Sequence, residues 1–333
     1  MTALSALVTG GTGFLGGQLA RRLHQLGWNV AVIGRNEQAG YALQAAGIRF
    51  IQGDLRDQAA VEAACSGIDT VFHCAALSSP WGSYQSFYSC NVEATAHVIA
   101  GCQKKGAARL VNVSTPSIYF NGRDQLNIRE DYPLPARPVN AYAATKRLAE
   151  EAVAAAHRPS AGLVTITLRP RAIFGPGDSA ILPRLIRANN SSGVPLFRNG
   201  NAMLDLTYID NAVDALIAAA AAPVEAAGQA YNITNGEPVQ LKEALNQLFK
   251  LLREPMRSRR IPFPLAKSMA ALLEAAAWLR PGRPEPVMTR YTVSLLSISQ
   301  TFDIAAAQKK LGYAPRISIQ EGLEHFAEWW RNN

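Results

Sequence analysis

From residue 4 onward, short apolar runs take turns with longer amphipathic stretches. Segments 4–9, 29–34, 48–52, 70–74 and 109–113 are such apolar runs and read as buried strands. Segments 14–26 and 83–104 have the length and spacing of helices. Strand and helix in alternation predict the α/β class and a doubly wound parallel sheet. An Ala-rich helix over 141–156 and a strand over 163–168 carry the same plan past the middle of the chain.

After Pro170 the regularity breaks. Gly175-Pro-Gly-Asp178 and the prolines at 183, 195, 238, 255, 262, 264, 281, 284 and 286 cut the pattern into shorter pieces. A helix over 208–222 and a strand over 230–233 look like returns to the first domain. The expected division is a dinucleotide-binding domain over 1–170, rejoined by 208–234, and a smaller, discontinuous substrate-binding subdomain over 171–207 and 235–333. The stretch 263–279 is the most membrane-like, but it contains Lys267 and Glu274 and falls short of the ~20 apolar residues a span requires. It reads as an amphipathic helix over the substrate site, with peripheral membrane contact left open.

At 333 residues, with 48% hydrophobic and 17% charged content, the chain can bury a large core. Its net charge of +8 allows an anionic small molecule, a membrane surface or nucleic acid. No Lys/Arg block of nucleic-acid-tail length is present, and the densest cluster, Arg253, Arg257, Arg259 and Arg260, reads as a solvated face, so no nucleic-acid partner is expected. Cys65, Cys74, Cys90 and Cys102 show neither CxxC nor Cys/His spacing; buried free thiols are expected, with no metal site. The start, Met1-Thr-Ala-Leu-Ser-Ala-Leu-Val, lacks the marks of a signal peptide, and a reducing, cytoplasmic location is the expectation.

Thr9-Gly-Gly-Thr-Gly-Phe-Leu-Gly16 follows the first strand and opens the first helix, the context in which a Gly-rich loop holds a dinucleotide. Gly10 permits a tight turn, Gly13 a close approach to pyrophosphate, and Gly16 close helix packing; Thr12, Phe14 and Leu15 complete the loop at a helix N-terminus with N–H groups to offer. Such a loop predicts a Rossmann fold. The second strand ends in Gly34-Arg35-Asn36, where NAD-binding folds place an acid against the ribose 2′-hydroxyl. Arg35 can instead pair with a 2′-phosphate, so NADP(H) is preferred, with NAD(H) still open. After the third strand, Asp54 and Leu55 are placed for the carboxylate to reach the adenine amino group. His73-Cys-Ala75-Ala76 ends the fourth strand with small residues, suited to a backbone running close to the cofactor.

Tyr142 and Lys146 lie four apart on a predicted helix and share a face. A nearby cation favours the phenolate and moves Tyr142 from its usual ~10 towards useful acid/base chemistry, and Lys146 can also bond the nicotinamide ribose. Thr115, or with less weight Ser114, follows the fifth strand at the edge where ligands bind, and can donate to a substrate carbonyl; Ser117 is a further candidate.

Together with Asn91-Val, Leu168-Arg-Pro170, Gly175-Pro-Gly-Asp and Leu311-Gly-Tyr-Ala-Pro, these motifs resemble the ordered set of extended short-chain dehydrogenases of the epimerase/dehydratase superfamily, over essentially the whole chain. The resemblance implies that Tyr142 is the general acid/base, Lys146 its activator and ribose anchor, and Thr115 the third catalytic position. It also implies that Asn91 supports the site and Pro170 flanks the nicotinamide, and it suggests a homodimer built on the helix carrying Tyr142 and the long one after the fourth strand.

Two branches compete. Asn211 stands where the sugar-nucleotide branch usually has an Asp, and Pro116-Ser117 stands where its dehydratases carry an Asp-Glu pair. Met288-Thr-Arg-Tyr-Thr-Val-Ser-Leu-Leu is similar to a segment of the 3β-hydroxysteroid dehydrogenase-like branch, and within it the chain is most similar to bacterial reductases of 2-alkyl-3-oxoalkanoates. Apolar material over 261–296 suits a hydrocarbon ligand. The expected activity is an NADP(H)-dependent interconversion of a bulky apolar ketone, 3-oxoalkanoate or steroid-like, and its secondary alcohol. The alternatives are a nucleotide-sugar epimerase retaining NAD, and a non-catalytic NADP(H)-binding sensor or scaffold, against which Tyr142 and Lys146 both argue.

Overall fold

A computed structural model describes residues 4–333; Met1, Thr2 and Ala3, the beginning of the segment read for an export signal, lie outside the described residues. In chain order the first half runs β1 (Ser5–Thr9), α1 (Phe14–Gln25), β2 (Asn29–Gly34), α2 (Glu37–Ala45), β3 (Arg49–Gln52), α3 (Gln58–Ala64), β4 (Thr70–His73), α4 (Tyr84–Tyr88), α5 (Ala94–Lys105), β5 (Arg109–Val113), α6 (Ala141–Ala155) and β6 (Val164–Pro170). Later come α7 (Leu182–Ser191), α8 (Ile209–Ala221) and β7 (Ala230–Ile233).

The seven strands form one sheet in the order β7-β6-β5-β4-β1-β2-β3, and every neighbouring pair is parallel. This is the doubly wound Rossmann order, with its switch point between β1 and β4. Successive side chains of a strand face opposite layers, so Ala6 and Val8 pack with Leu19, Leu23 and Leu216 on one side, while Leu7 packs with Val61, Val98 and Val153 on the other. Both layers exclude water around the inner strands, which is why β1 and β2 read as apolar runs; β3, expected to be buried, lies at the edge of the sheet with Arg49 and Gln52 exposed and Phe50 and Ile51 half-buried.

The segment expected as one helix over 83–104 is not one. A π turn, Ser89–Glu93, separates α4 from α5. Its wider turn carries Asn91 inward, where the amide binds both Leu77 N–H (2.8 Å) and Leu77 C=O (3.2 Å) and reaches Thr145 Oγ1 (3.1 Å). The strand expected over 163–168 also runs on to Pro170, which pairs with Ile233 at the outer strand.

The remaining helices are α9 (Leu241–Leu252), α10 (Phe263–Leu279), α11 (Arg290–Leu295), α12 (Ala305–Leu311) and α13 (Ile319–Asn332). Ile186 of α7, Leu245 and Phe249 of α9, and Leu323 and Phe326 of α13 form a second core. Helix α10 turns its small side chains inward: Ala266 and Ala270 pack with Phe197, Ile261 and Val293, while Leu272 is 72% and Leu279 87% exposed. The basic cluster contributes a short strand, Ser258–Arg260, that pairs through its backbone with Val194–Leu196 and leaves its arginines in water.

No helix of the described residues is long and apolar enough to cross a membrane. All four cysteines are free, but only Cys65 and Cys102 are buried. Cys74 and Cys90 are half-buried: Cys74 follows the end of β4 and packs on the edge of the core, and Cys90 sits in the π turn.

Candidate active site

The C-terminal ends of β1, β4, β5 and β6 lie side by side, and the candidate residues gather along that edge. Gly10 follows β1 with φ 67°, a conformation that favours glycine, and a Cβ there would meet Ala75 Cα at 2.8 Å. Any side chain at Gly16 would collide with the Gly10 carbonyl oxygen. Gly13 caps α1 and has no side chain to accept from the first-turn N–H groups, which leaves them free of a capping side chain. Thr12 packs on the end of β2, where a Cβ on Gly34 would come within 2.6 Å of its Oγ1. A turn kept clear of side chains at a helix N-terminus fits a dinucleotide pyrophosphate.

At the ends of β2 and β3, Arg35 and Asp54 approach each other at 3.8 Å. Arg56, not singled out from the sequence, holds Asp54 far more closely, with Nη2 at 2.6 Å and Nε at 3.1 Å from each carboxylate oxygen. Arg56 is the main reason that the Asp54 carboxyl falls to about 2. The carboxylate expected to reach adenine is thus engaged by a guanidinium here. Two arginines share one acid, which leaves this corner cationic. The Leu55 carbonyl accepts a hydrogen bond from His97 Nδ1 (2.8 Å).

His73, at the end of β4, is buried between the hydroxyls of Thr9 (2.8 Å) and Thr95 (2.9 Å). Burial pushes its pKa to about 3, so it is neutral. The loop continues through Ala75, whose N–H reaches Thr9 Oγ1 (3.3 Å), and exposed Ala76 to Leu77, which Asn91 clamps.

Helix α6 begins at an Asn140 cap and brings Tyr142 and Lys146 to the same edge. Lys146 is 2% exposed and donates through Nζ to the Val113 carbonyl (2.7 Å). Burial lowers its pKa to about 8, and Glu150 opposes that shift. Tyr142 departs from the expectation that Lys146 draws its phenol downward. Its pKa is pushed up to about 12, because burial outweighs the Thr115 hydroxyl contact that favours ionisation, and the nearby Tyr291 adds to the rise. At neutral pH this phenol holds its proton and is equipped to donate it.

Thr115 caps the turn Pro116–Tyr119, accepting from Ser117 N–H (3.2 Å) and donating to Ser117 Oγ (3.0 Å). Ser117 Oγ in turn meets Tyr291 Oη of α11 (2.7 Å). Tyr142, Thr115, Ser117 and Tyr291 therefore form a line of hydroxyls from α6 across the end of β5 to α11. The Ser114 hydroxyl is buried and finds no hydrogen-bond partner among the described residues.

Pro170 ends β6 beside this line and is flanked by two arginines of different character. Arg169 donates to Glu150 and to Tyr119 Oη and lies over the Tyr119 ring. Arg171 is 8% exposed, has no carboxylate within ion-pair distance, and leaves its buried Nε without a partner among the described residues. Arg171 carried no signal of its own in the sequence, and Tyr291 only as part of the segment 288–296; 120 positions separate what the fold brings together. Arg56 did carry one, two residues after Asp54. Asn211 serves elsewhere: its amide holds the Arg316–Ile317 backbone and Asn235.

Residues 6–234 match the family described as the NAD dependent epimerase/dehydratase family. The chain is 40% identical to a 2-alkyl-3-oxoalkanoate reductase of Stenotrophomonas maltophilia (strain K279a), an alignment covering 96% of this chain and 97% of that protein. It is 36% identical to 3beta-hydroxysteroid-dehydrogenase/decarboxylase isoform 1 of Arabidopsis thaliana, over 96% of this chain and 77% of the other. Among solved structures, MoeE5 in complex with UDP-glucose and NAD aligns with a TM-score of 0.78 at 28% identity, covering 98% of this chain and 99% of that one.

Proposed function

The chain belongs to the NAD dependent epimerase/dehydratase family and is an NAD(P)-dependent oxidoreductase of ketones and secondary alcohols; from that premise we propose an NADP(H)-dependent enzyme that interconverts a bulky 3-oxo acid and its 3-hydroxy form. The line of hydroxyls from Tyr142 through Thr115 to Tyr291, beside buried Lys146, carries this reading. When bound, the nicotinamide supplies or accepts the hydride. Thr115 and Tyr142 donate to the ketone oxygen, and Tyr142 passes its proton to the developing alkoxide. Lys146, still largely protonated at neutral pH, favours the charge that remains on the phenolate.

The loop Gly10 to Gly16 holds the pyrophosphate, with Thr12, Phe14 and Leu15 in it. Asp54, Leu55, Ala75, Ala76, Asn91 and Pro170 line or brace the rest of the cofactor cleft, and Ser114 stands in reserve behind Thr115. Residues 1–170 with 208–234 form the cofactor domain, and 171–207 with 235–333 cover the substrate. The functional unit in this proposal is a homodimer through α5 and α6.

The preference for NADP(H) rests on Arg35 and Arg56 facing a single carboxylate, a corner better suited to a 2′-phosphate than to a bare hydroxyl. Nicotinamide fluorescence titrations test it. NADPH is expected to bind on the order of 10-fold or more tighter than NADH, the scale of a charge-assisted hydrogen bond, with Arg35→Ser erasing the difference. Equal affinities, or NAD carried through purification, would overturn the preference and favour the epimerase reading.

A further inference from the structure

Arg171 is buried, cationic and unmatched among the described residues, just past the end of β6. Its guanidinium has neither an ion pair nor a hydrogen bond among the described residues, whereas Arg169, two positions earlier, is fully engaged. A buried charge of this kind is costly unless an anion meets it. No carboxylate among the described residues pairs with it: Asp205, fully buried, influences Arg171 but stands beyond ion-pair distance, with one oxygen taken by Phe302 N–H (2.7 Å) and the other without a hydrogen-bond partner among the described residues.

The backbone holds the residue firmly. Arg171 N–H donates to the Ile233 carbonyl (3.0 Å), its carbonyl accepts from Thr207 Oγ1 (2.6 Å), and Ala172 turns the chain away at φ 46°, an uncommon conformation for a residue with a Cβ.

Register locates the missing anion. Val113, the last residue of β5, pairs with Leu168, so Thr115 and Arg171 follow the ends of adjacent strands; Tyr291, which influences Arg171, reaches Ser117 Oγ, the group to which Thr115 donates. The pyrophosphate loop follows β1, three strands away across β5 and β4, roughly 14 Å at the usual spacing. A cofactor phosphate on that loop does not reach Arg171. An acidic group close to the ketone held by Thr115 and Tyr142 does.

We propose that Arg171 binds the carboxylate of the substrate, which makes the enzyme selective for 3-oxo and 3-hydroxy acids over the corresponding neutral ketones, esters and alcohols. This rests on the reading of the site as a ketone/alcohol oxidoreductase. In a 3-oxo acid the carboxyl carbon is two bonds from the ketone carbon, which matches an arginine at the end of the strand adjacent to that of the carbonyl-binding threonine. The pairing also keeps negative charge on the carboxylate, whose electrons would otherwise flow towards the ketone as carbon dioxide leaves. It thereby holds the acid intact for reduction.

The test separates binding from turnover. A long-chain 2-alkylalkanoic acid, which has no oxygen at C3 and cannot react, and its methyl ester are titrated against the NADPH complex of the full chain. The acid is expected to bind on the order of 10- to 100-fold tighter than the ester, the span of a charge-assisted pair, with the ratio collapsing towards one in Arg171→Met and partly retained in Arg171→Lys. Equal binding of acid and ester to the unaltered protein overturns the proposal, even if Arg171→Met fails to fold. So does a ratio that Arg171→Met leaves in place. Oxidation of the 2-alkyl-3-hydroxy acid is followed in parallel: no turnover together with Arg171-dependent acid binding would refute the reductase reading and leave the carboxylate site standing.

Discussion

The cofactor half and the α10–α11 cover solve the problem of burial in opposite ways. In the sheet and its flanking helices, large aliphatic residues go inward on both faces and the ionisable groups among them are matched: His73 has two hydroxyls and Lys146 a carbonyl, while the groups left without a partner, Asn112 Oδ1 and the Ser114 hydroxyl, are neutral. In α10 Ala266, Ala270 and Ala277 go inward and Leu265, Leu272 and Leu279 outward, and Arg171, near Tyr291 of α11, is left without an anion among the described residues. A region whose ionisable groups are matched within the chain is built for stability, whereas one with an unmatched charge and exposed apolar side chains is built around something it receives. The contrast fails if the matched half proves dispensable for chemistry or if the outer face of α10 proves to be core.

The largest expected effect falls where the halves meet. Tyr142→Phe removes the proton carrier and keeps the ring, so kcat should fall on the order of 10²- to 10⁴-fold while NADPH affinity from fluorescence titration stays within a factor of a few. A variant that turns over normally would remove Tyr142 from the mechanism and return the hydroxyl line to a structural role.

His73 gives a smaller effect confined to the cofactor half. Its folded pKa is depressed to about 3 from an ordinary 6.5, so between those values the unfolded chain binds the proton that the folded one refuses. Its contribution to stability is therefore complete above pH 6.5 and is lost as pH falls, by up to roughly 1.4 kcal/mol per pH unit. Urea unfolding at pH 7 and pH 5 should show this loss, and His73→Gln should flatten it. An unchanged slope in the variant would mean that other groups carry the acid sensitivity.

The same contrast explains what could be read in advance. Strands buried on both faces announce themselves as aliphatic runs, and a glycine loop between strand and helix announces a phosphate site, so β1 to β5 and Gly10 to Gly16 were legible. The π turn was not, because one extra residue in a helical ladder leaves no mark in the spacing of apolar positions around Asn91. The rise of the Tyr142 pKa was also hidden: the Tyr142 and Lys146 spacing shows a cation nearby, but the burial that outweighs it comes from the tertiary fold. Arg171 and Tyr291 meet only through tertiary structure. In α10, nearly every position is apolar, so periodicity established a helix but could not say which face was covered.

That ambiguity sets the smallest expected effect. Leu272 is 72% exposed and buries little area, so Leu272→Gln should change stability by no more than about 0.5 kcal/mol. Ala270 is fully buried against Phe197, Ile261 and Val293, and Ala270→Leu forces extra volume into a filled layer at a cost of about 1–3 kcal/mol. Hydrophobicity alone predicts the reverse, since the leucine is the larger apolar side chain to lose. Thermal and urea unfolding of the two variants side by side decide between the accounts. If Leu272→Gln is the more damaging, the leucine face is covered in the folded protein, and α10 follows the same inward rule as the sheet.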